Sequence, residues 1–308
     1  MSSTSPIADL AASAFTEASL PIGIFDSGVG GLTVLAALRR RLPQESYCYL
    51  GDTARLPYGT KSTGTILRYS LQTTEKLVER RIKLLVVACN TATAAALPEL
   101  QRTYSPLPVI GVIEPGAHAA CKAVQPGNGS EGKDIIVLGT ESTIRGGAYT
   151  RAIQAINPGA NVTGIACSLF VSLAEEGWMT GPIAEGIASR YLSPILGDQG
   201  KPRAKPGCIV LGCTHFPPLA PAIAAVAGKD VIMVDSAETT AEAVQAELDR
   251  LGLLRSALEP QAGQNNSTAV CSDKLHFLTT DAPERFARVG SLFLGETIDP
   301  GKLDLVTL

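Results

Sequence analysis

The chain has 308 residues, enough for one large α/β domain or two of ordinary size. Hydrophobic residues make up 45% and charged residues 18%, the latter below the roughly one quarter of an average domain, which argues against a disordered chain. With 26 basic and 29 acidic residues the net charge is −3 and no basic block exceeds Arg39-Arg40-Arg41, which argues against a nucleic-acid partner; no apolar run reaches the roughly 18 residues of a membrane span.

Residues 1–20 contain no Lys or Arg, so they fit neither a secretory signal nor a transit peptide and read as a disordered leader. A strand over 21–25 runs through a polar, Gly-bearing turn into a helix over 32–42, with Leu32, Leu35, Leu38 and Leu42 on one face. A strand over 47–50, a loop GDTARLPYGTK (51–61) and a helix over 66–81 follow. Further strands are expected at 83–88, 109–113, 134–138, 162–166, 207–212, 231–234 and 275–278. They are continuous apolar runs, as parallel strands buried on both faces require. The βα alternation predicts a doubly wound α/β architecture. Gly/Pro/Ser-rich breaks at 125–132, 197–207 and 259–268 read as surface loops, the last setting off a final strand–helix unit.

A weak internal repeat organises these elements. LLVVACNTATAAALPEL (84–100) resembles CIVLGCTHFPPLAPAI (208–223): an apolar strand, a cysteine, polar residues, then an alanine-rich stretch. GIFDSGVGGL (23–32) has a fainter counterpart in VLGTESTIRGG (137–147). Turn-then-cysteine thus occurs once in each half. Two related α/β lobes would place Cys89 and Cys213 at the carboxyl ends of their sheets, where ligands bind, facing each other across a cleft.

Known nucleotide motifs fail on the first turn. Val29 stands where a phosphate loop needs lysine, and Thr33 stands where G-x-G-x-x-G needs its third glycine. What survives is a strand-to-helix turn carrying Asp26 and Ser27, whose glycines would let backbone amides approach a small anion.

The seven cysteines, odd in number and without a CxxC pair, support neither a disulfide framework nor a cysteine zinc site and point to a cytosolic chain with reduced thiols. Cys48, Cys121, Cys167, Cys208 and Cys271 lie in apolar or unremarkable segments and read as buried and inert. Cys89 and Cys213 each end a strand ahead of a helix, whose positive dipole end would lower a thiol pKa from about 8.5. Asn90-Thr91 and Thr214-His215 follow them as caps or ligand donors. His118 and His276 read as structural, while His215 can tune Cys213. A metal on Cys213 and His215 lacks a second ligand cluster at zinc spacing. Glu175-Glu176 read, on their own, as solvated charge at a helix end.

Two opposed thiols suit one reaction above others. Removing the proton α to a carboxylate and returning it on the other face requires a base on each side of the carbon, one thiolate and one thiol. Donors for the carboxylate of the unstable carbanion are needed as well, and the turn amides and the hydroxyls after each cysteine are candidates.

IFDSGVGGLTVL (24–35), GDTARLPYG (51–59), VVACNTATA (86–94), GVIEPG (111–116), LGTESTIRGGAY (138–149) and LGCTHFP (211–217) together resemble the ordered motifs of bacterial glutamate racemases, in the aspartate/glutamate racemase superfamily. The likeness runs from about residue 21 to 250, with a compatible tail. It implies interconversion of L- and D-glutamate without PLP or another cofactor, in the cytoplasm, supplying D-glutamate for peptidoglycan. It carries the catalytic bases onto Cys89 and Cys213, and substrate contacts onto Asp26, Ser27, Tyr58, Gly59, Asn90, Thr91, Thr214 and His215. Asp26 and His215 resemble the residues that assist the nearer thiol. Glu175 falls where the family has an auxiliary acid, although FVSLAEE (170–176) has Ser172 in place of the usual proline. Phe216 stands where Tyr is common and Leu56 where Cys is frequent.

The resemblance also implies two pseudo-symmetric domains, with 21–115 plus 229–308 carrying Cys89 and 116–228 carrying Cys213. Family members are often homodimers whose packing differs between groups, so a homodimer is one assembly compatible with the resemblance and the sequence leaves it open. Rival assignments are a two-cysteine racemase of aspartate, and a non-catalytic amino-acid binder or thiol-redox protein. The intact thiol pair disfavours the binder, and the missing CxxC disfavours the redox protein.

Overall fold

In the computed structural model, residues 18–125, 127, 134–197, 205–255 and 274–308 are described. Among the described residues ten strands form two sheets. The first contains β1 (Ile22–Asp26), β2 (Tyr47–Gly51), β3 (Leu84–Val87), β4 (Val109–Gly111), β9 (Leu275–Thr279) and β10 (Leu303–Leu305), ordered β10-β9-β2-β1-β3-β4. The second contains β5 (Asp134–Gly139), β6 (Asn161–Ala166), β7 (Cys208–Gly212) and β8 (Ile232–Asp235), ordered β6-β5-β7-β8. Every strand pair is parallel. Both sheets are doubly wound, so the fold is the α/β one expected.

The continuous apolar runs follow from burial on both faces. In the first sheet Ile24, Tyr49 and Val86 point into one core while their neighbours Phe25, Leu50 and Val87 point into the other. In the second, Leu138 and Leu211 share the first core, and Val137 and Val210 face a third cluster. One core is therefore common to both sheets and joins the halves. β6 departs from the pattern: it is an edge strand, half exposed, because it pairs on one side only.

Eleven helices are described. They are α1 (Leu32–Arg41), α2 (Thr63–Val78), α3 (Asn90–Thr103), α4 (Ile113–Ala123), α5 (Glu141–Gly146), α6 (Ala148–Ile156), α7 (Ser168–Glu175), α8 (Pro182–Leu196), α9 (Ala220–Ala227), α10 (Ser236–Leu251) and α11 (Pro283–Leu294). α2 starts earlier than its apolar pattern because Ser62 caps it, its hydroxyl accepting the Thr65 N–H at 3.4 Å. β4 ends two residues before the sequence pattern does, since Ile113 already opens α4.

The chain passes to the second sheet through α4 and returns through α10, which packs on both α1 and α4. The return comes after Asp235, later than the expected exchange near residue 228, because β8 still pairs with β7 from Cys208↔Ile232 onward. The break expected at 259–268 and Cys271 lie outside the described residues. So does the leader up to residue 17.

Strand order fixes where a site can form. β1 is followed in space by β2 on one side and β3 on the other, and β5 by β6 and β7 in the same way. Each sheet therefore has one switch point, between β1 and β3 and between β5 and β7, where connections leave in opposite directions and open a crevice. The half-repeat maps onto those two strand pairs.

Candidate active site

Cys89 follows β3 and Cys213 follows β7, so each thiol lies at the switch point of its own sheet. Both are buried, at 5% and 6% exposure. Their surroundings differ. Cys89 is the N-cap of α3: its sulfur accepts the Ala92 N–H at 3.4 Å and meets the Ser27 hydroxyl at 3.5 Å. Helix position should lower this thiol, yet burial and the nearby Asp26 carboxylate outweigh it and push Cys89 up to about 12. Cys89 is thus held as a thiol at neutral pH.

Cys213 has no helix directly behind it. A turn and a short 3₁₀ segment (Pro217–Leu219) intervene before α9 starts at Ala220, so the expected dipole effect does not apply there. Its partner is a side chain: His215 Nδ1 lies 3.9 Å from the sulfur, and His215 Nε2 lies 3.2 Å from Glu175 Oε1. Burial pulls His215 down, but the Cys213 sulfur and the Glu175 carboxylate outweigh it and hold the imidazole up at about 10. Burial likewise would raise Glu175, but His215 and Arg285 keep its carboxyl below the usual range. α7 runs unbroken through Ser172 and delivers Glu175 to this position.

The folded value of His215 exceeds its unfolded value of about 6.5, so its charge contributes stability that is full below about pH 6.5 and fades as pH rises through about 10. In a nitrogen-15 NMR titration the His215 imidazolium is therefore expected to persist beyond pH 8. A midpoint near 6.5 would show that the contacts with Cys213 and Glu175 do not hold in solution.

Asp26 bears electrostatically on both Cys89 and His215. It is fully buried, and Oδ2 accepts the Gly28 N–H at 2.9 Å. The Gly31 and Ser27 amides also favour its charge, although no hydrogen bond of good geometry reaches Oδ1. Burial raises its pKa, opposed by His215. Asn90 donates from Nδ2 to the Tyr149 hydroxyl at 2.8 Å, leaving its buried Oδ1 without a partner. Two such acceptors suit an ammonium group. Opposite in character is a hydroxyl cluster: Thr91 lies 3.0 Å from Thr140 and 3.2 Å from Thr143, linking the start of α3 to the end of β5. It offers donors to a carboxylate.

The Tyr58 hydroxyl donates to Asp52, which also binds Arg55 and Thr280, so this side chain fixes the loop and leaves only its backbone for a ligand. Gly59 packs on Thr140; a Cβ there would come within 2.9 Å of Thr140 Cβ. His118 is exposed on α4, and His276 pairs with Asp304 at 2.9 Å, both away from the thiols. Phe216 is buried edge-on against Phe170. Cys167, read as inert, is pushed up to about 12 by burial and then by Cys213, so it neighbours the second thiol.

The Asp/Glu/Hydantoin racemase family model matches residues 32–244. The chain belongs to that family. Within it, the glutamate racemase of Geobacter metallireducens is 50% identical over 89% of this chain and 92% of its own length. The crystal structure of the Francisella tularensis glutamate racemase in complex with D-glutamate is 33% identical, with a TM-score of 0.78, covering 94% of this chain and 98% of that one. A Bacillus anthracis glutamate racemase isoform is 34% identical at a TM-score of 0.80, over 94% and 98%. The chain is accordingly an isomerase of the amino-acid racemase class. Among the described residues no helix is long and apolar enough to cross a membrane.

Thr140, Thr143 and Tyr149 were within reach of the sequence, in LGTESTIRGGAY, but nothing there distinguished their roles. Arg285 and Phe293 were not. Both come from α11, in the tail that carries no motif, and reach Glu175 and His215 across the chain.

Proposed function

We propose that the protein racemises glutamate by proton transfer between two bases, Cys89 and Cys213, in the cleft between its two sheets. The observation that carries this reading is the pair of buried cysteines at the two switch points, with complementary surroundings. Cys213 as thiolate takes the α-proton of L-glutamate beside the His215 cation. Cys89, held as a thiol, gives its proton to the opposite face. The sulfurs exchange protonation states in the process, so the product form of the enzyme is the one that D-glutamate needs.

Asp26 and Asn90 receive the ammonium group, while Ser27, Thr91, Thr140, Thr143 and Thr214 offer hydroxyls to the carboxylates. The relatives named glutamate racemases, and the one solved with D-glutamate, support this substrate over aspartate. The thiols supply both proton transfers, so the reading invokes no PLP. It also treats the sheets as two lobes, 21–112 with 236–308 and 113–235, that part to admit substrate.

Purified protein should bring L-glutamate to zero optical rotation and leave L-aspartate unchanged. Turnover of aspartate alone would reassign the substrate, and turnover of neither would leave a binder. A cytoplasmic supply of D-glutamate for peptidoglycan predicts that cells lacking the gene grow only with D-glutamate. Homodimers, the family's common assembly, would be excluded by a monomer mass in light scattering.

A further inference from the structure

The second thiol is surrounded by one more charged residue than this chemistry uses. Glu175 Oε1 meets His215 Nε2 at 3.2 Å, and Glu175 Oε2 accepts from Arg285 Nη2 at 2.7 Å. The pair links the two halves: Glu175 ends α7, after β6 of the four-stranded sheet, and Arg285 lies in the first turn of α11, after β9 of the six-stranded sheet. That first turn is anchored. Thr53 Oγ1 bonds the Asp281 backbone twice, at 2.6 Å to its carbonyl and 2.9 Å from its N–H. Ala282, the next residue, holds φ at 49°, a left-handed conformation that persists in an alanine only where the surroundings over-determine it. Further along the same helix, Phe293 packs edge-on against the His215 ring, with centroids 5.1 Å apart. α11 therefore touches the histidine on its face and, through Glu175, on its Nε2.

We infer that Arg285 is a positioning residue for His215, acting through Glu175 and supplied by the opposite sheet. It keeps the carboxylate ionised and in the rotamer that accepts from Nε2, so His215 is set beside the Cys213 sulfur only when the two halves are closed on each other. The inference rests on the reading of Cys213 as one of the two bases. The charged groups that bear on Glu175 are His215 and Arg285; those that bear on His215 are Cys213, Glu175 and, from β1, Asp26. Without Arg285 the carboxylate keeps one cation in place of two and protonates at higher pH. A protonated Glu175 no longer gives His215 a counter-charge.

Initial rates of glutamate racemisation against pH separate this role from that of a surface ion pair. Wild type, Arg285→Gln, Arg285→Lys, Glu175→Gln and the Arg285→Gln/Glu175→Gln double variant are compared, each with its melting curve. Arg285 is 49% exposed, so the loss in kcat/KM for Arg285→Gln is expected to be modest, about fivefold. The acid limb of its profile moves to higher pH, with little change in melting. Arg285→Lys, which keeps the charge, recovers most of the rate. In the Glu175→Gln background, Arg285→Gln adds nothing. An unmoved acid limb, or a loss that simply multiplies with that of Glu175→Gln, overturns the proposal. A wild-type protein that does not racemise glutamate overturns instead the function on which the proposal rests.

Discussion

Cys89→Ser and Cys213→Ser are each expected to remove racemisation, by about 10²–10⁴-fold in kcat/KM, the range for loss of a positioned acid or base. Size is conserved closely enough that folding should survive, since both sulfurs sit at strand ends and serine fills nearly the same space. What is lost is acidity. Cys89 is already pushed up to about 12 by burial and Asp26, and a hydroxyl in that place starts from a far weaker acid. At position 213 the His215 cation would face an oxygen that holds no charge near neutral pH. Full activity in either variant would sink the two-thiol mechanism.

Isotope exchange sharpens the same expectation. A thiol carries one proton, and the two sulfurs lie at the switch points of different sheets. In heavy water the returning thiol is already deuterated. Deuterium should therefore appear early in the inverted product while remaining substrate stays largely protiated. Rapid wash-in to uninverted substrate would point to one shared base.

Much of this arrangement was legible because it follows from burial. Strands such as 21–25 and 207–212 are apolar throughout because both faces of each sheet are covered, and that pattern needs no knowledge of neighbours. β10 escaped notice because three residues, two of them exposed, leave no pattern. Cys89 and Cys213 were identifiable by their strand-end context, but the reason attached to them was incomplete. A dipole argument is local, whereas the burial that dominates at Cys89, and the Asp26 charge that adds to it, come from segments distant in the chain. The contact between the Tyr58 hydroxyl and Asp52 was not legible, because Asp52 reads in sequence as one more loop acid. Arg285 was invisible for the same reason in stronger form: its meaning depends on Glu175, in another lobe, and no local spacing encodes that pair.

Gly30→Ala is expected to cost about 10²-fold in kcat/KM, the scale for misplacing a catalytic group by about 1 Å. From sequence, the glycines of DSGVGG explain themselves as room for backbone amides to approach an anion. At position 30 the space is taken by the other half of the protein. A Cβ built there would fall 2.4 Å from His215 Nδ1 and 2.4 Å from Thr214 Oγ1. Neither residue can move away freely: His215 is buried between Phe293 and Glu175, and Thr214 is buried with its backbone carbonyl accepting from Thr33 Oγ1 at 3.2 Å. The methyl group must therefore push the His215 turn back, lengthening the 3.9 Å contact with Cys213 or parting the lobes. Stability should fall by only about 1–3 kcal/mol, the usual cost of overpacking, because the clusters around Phe25 and Val87 and around Val137 and Val210 are left intact. Gly28→Ala provides the control within the same turn. Its Cβ would meet only Leu56 Cδ2 at 3.4 Å, an ordinary contact, so most of the rate should remain. Equal losses for the two variants would mean that the turn needs its glycines for backbone freedom. A wild-type rate in Gly30→Ala would mean that the His215 turn and the DSGVGG turn are not pressed together during turnover.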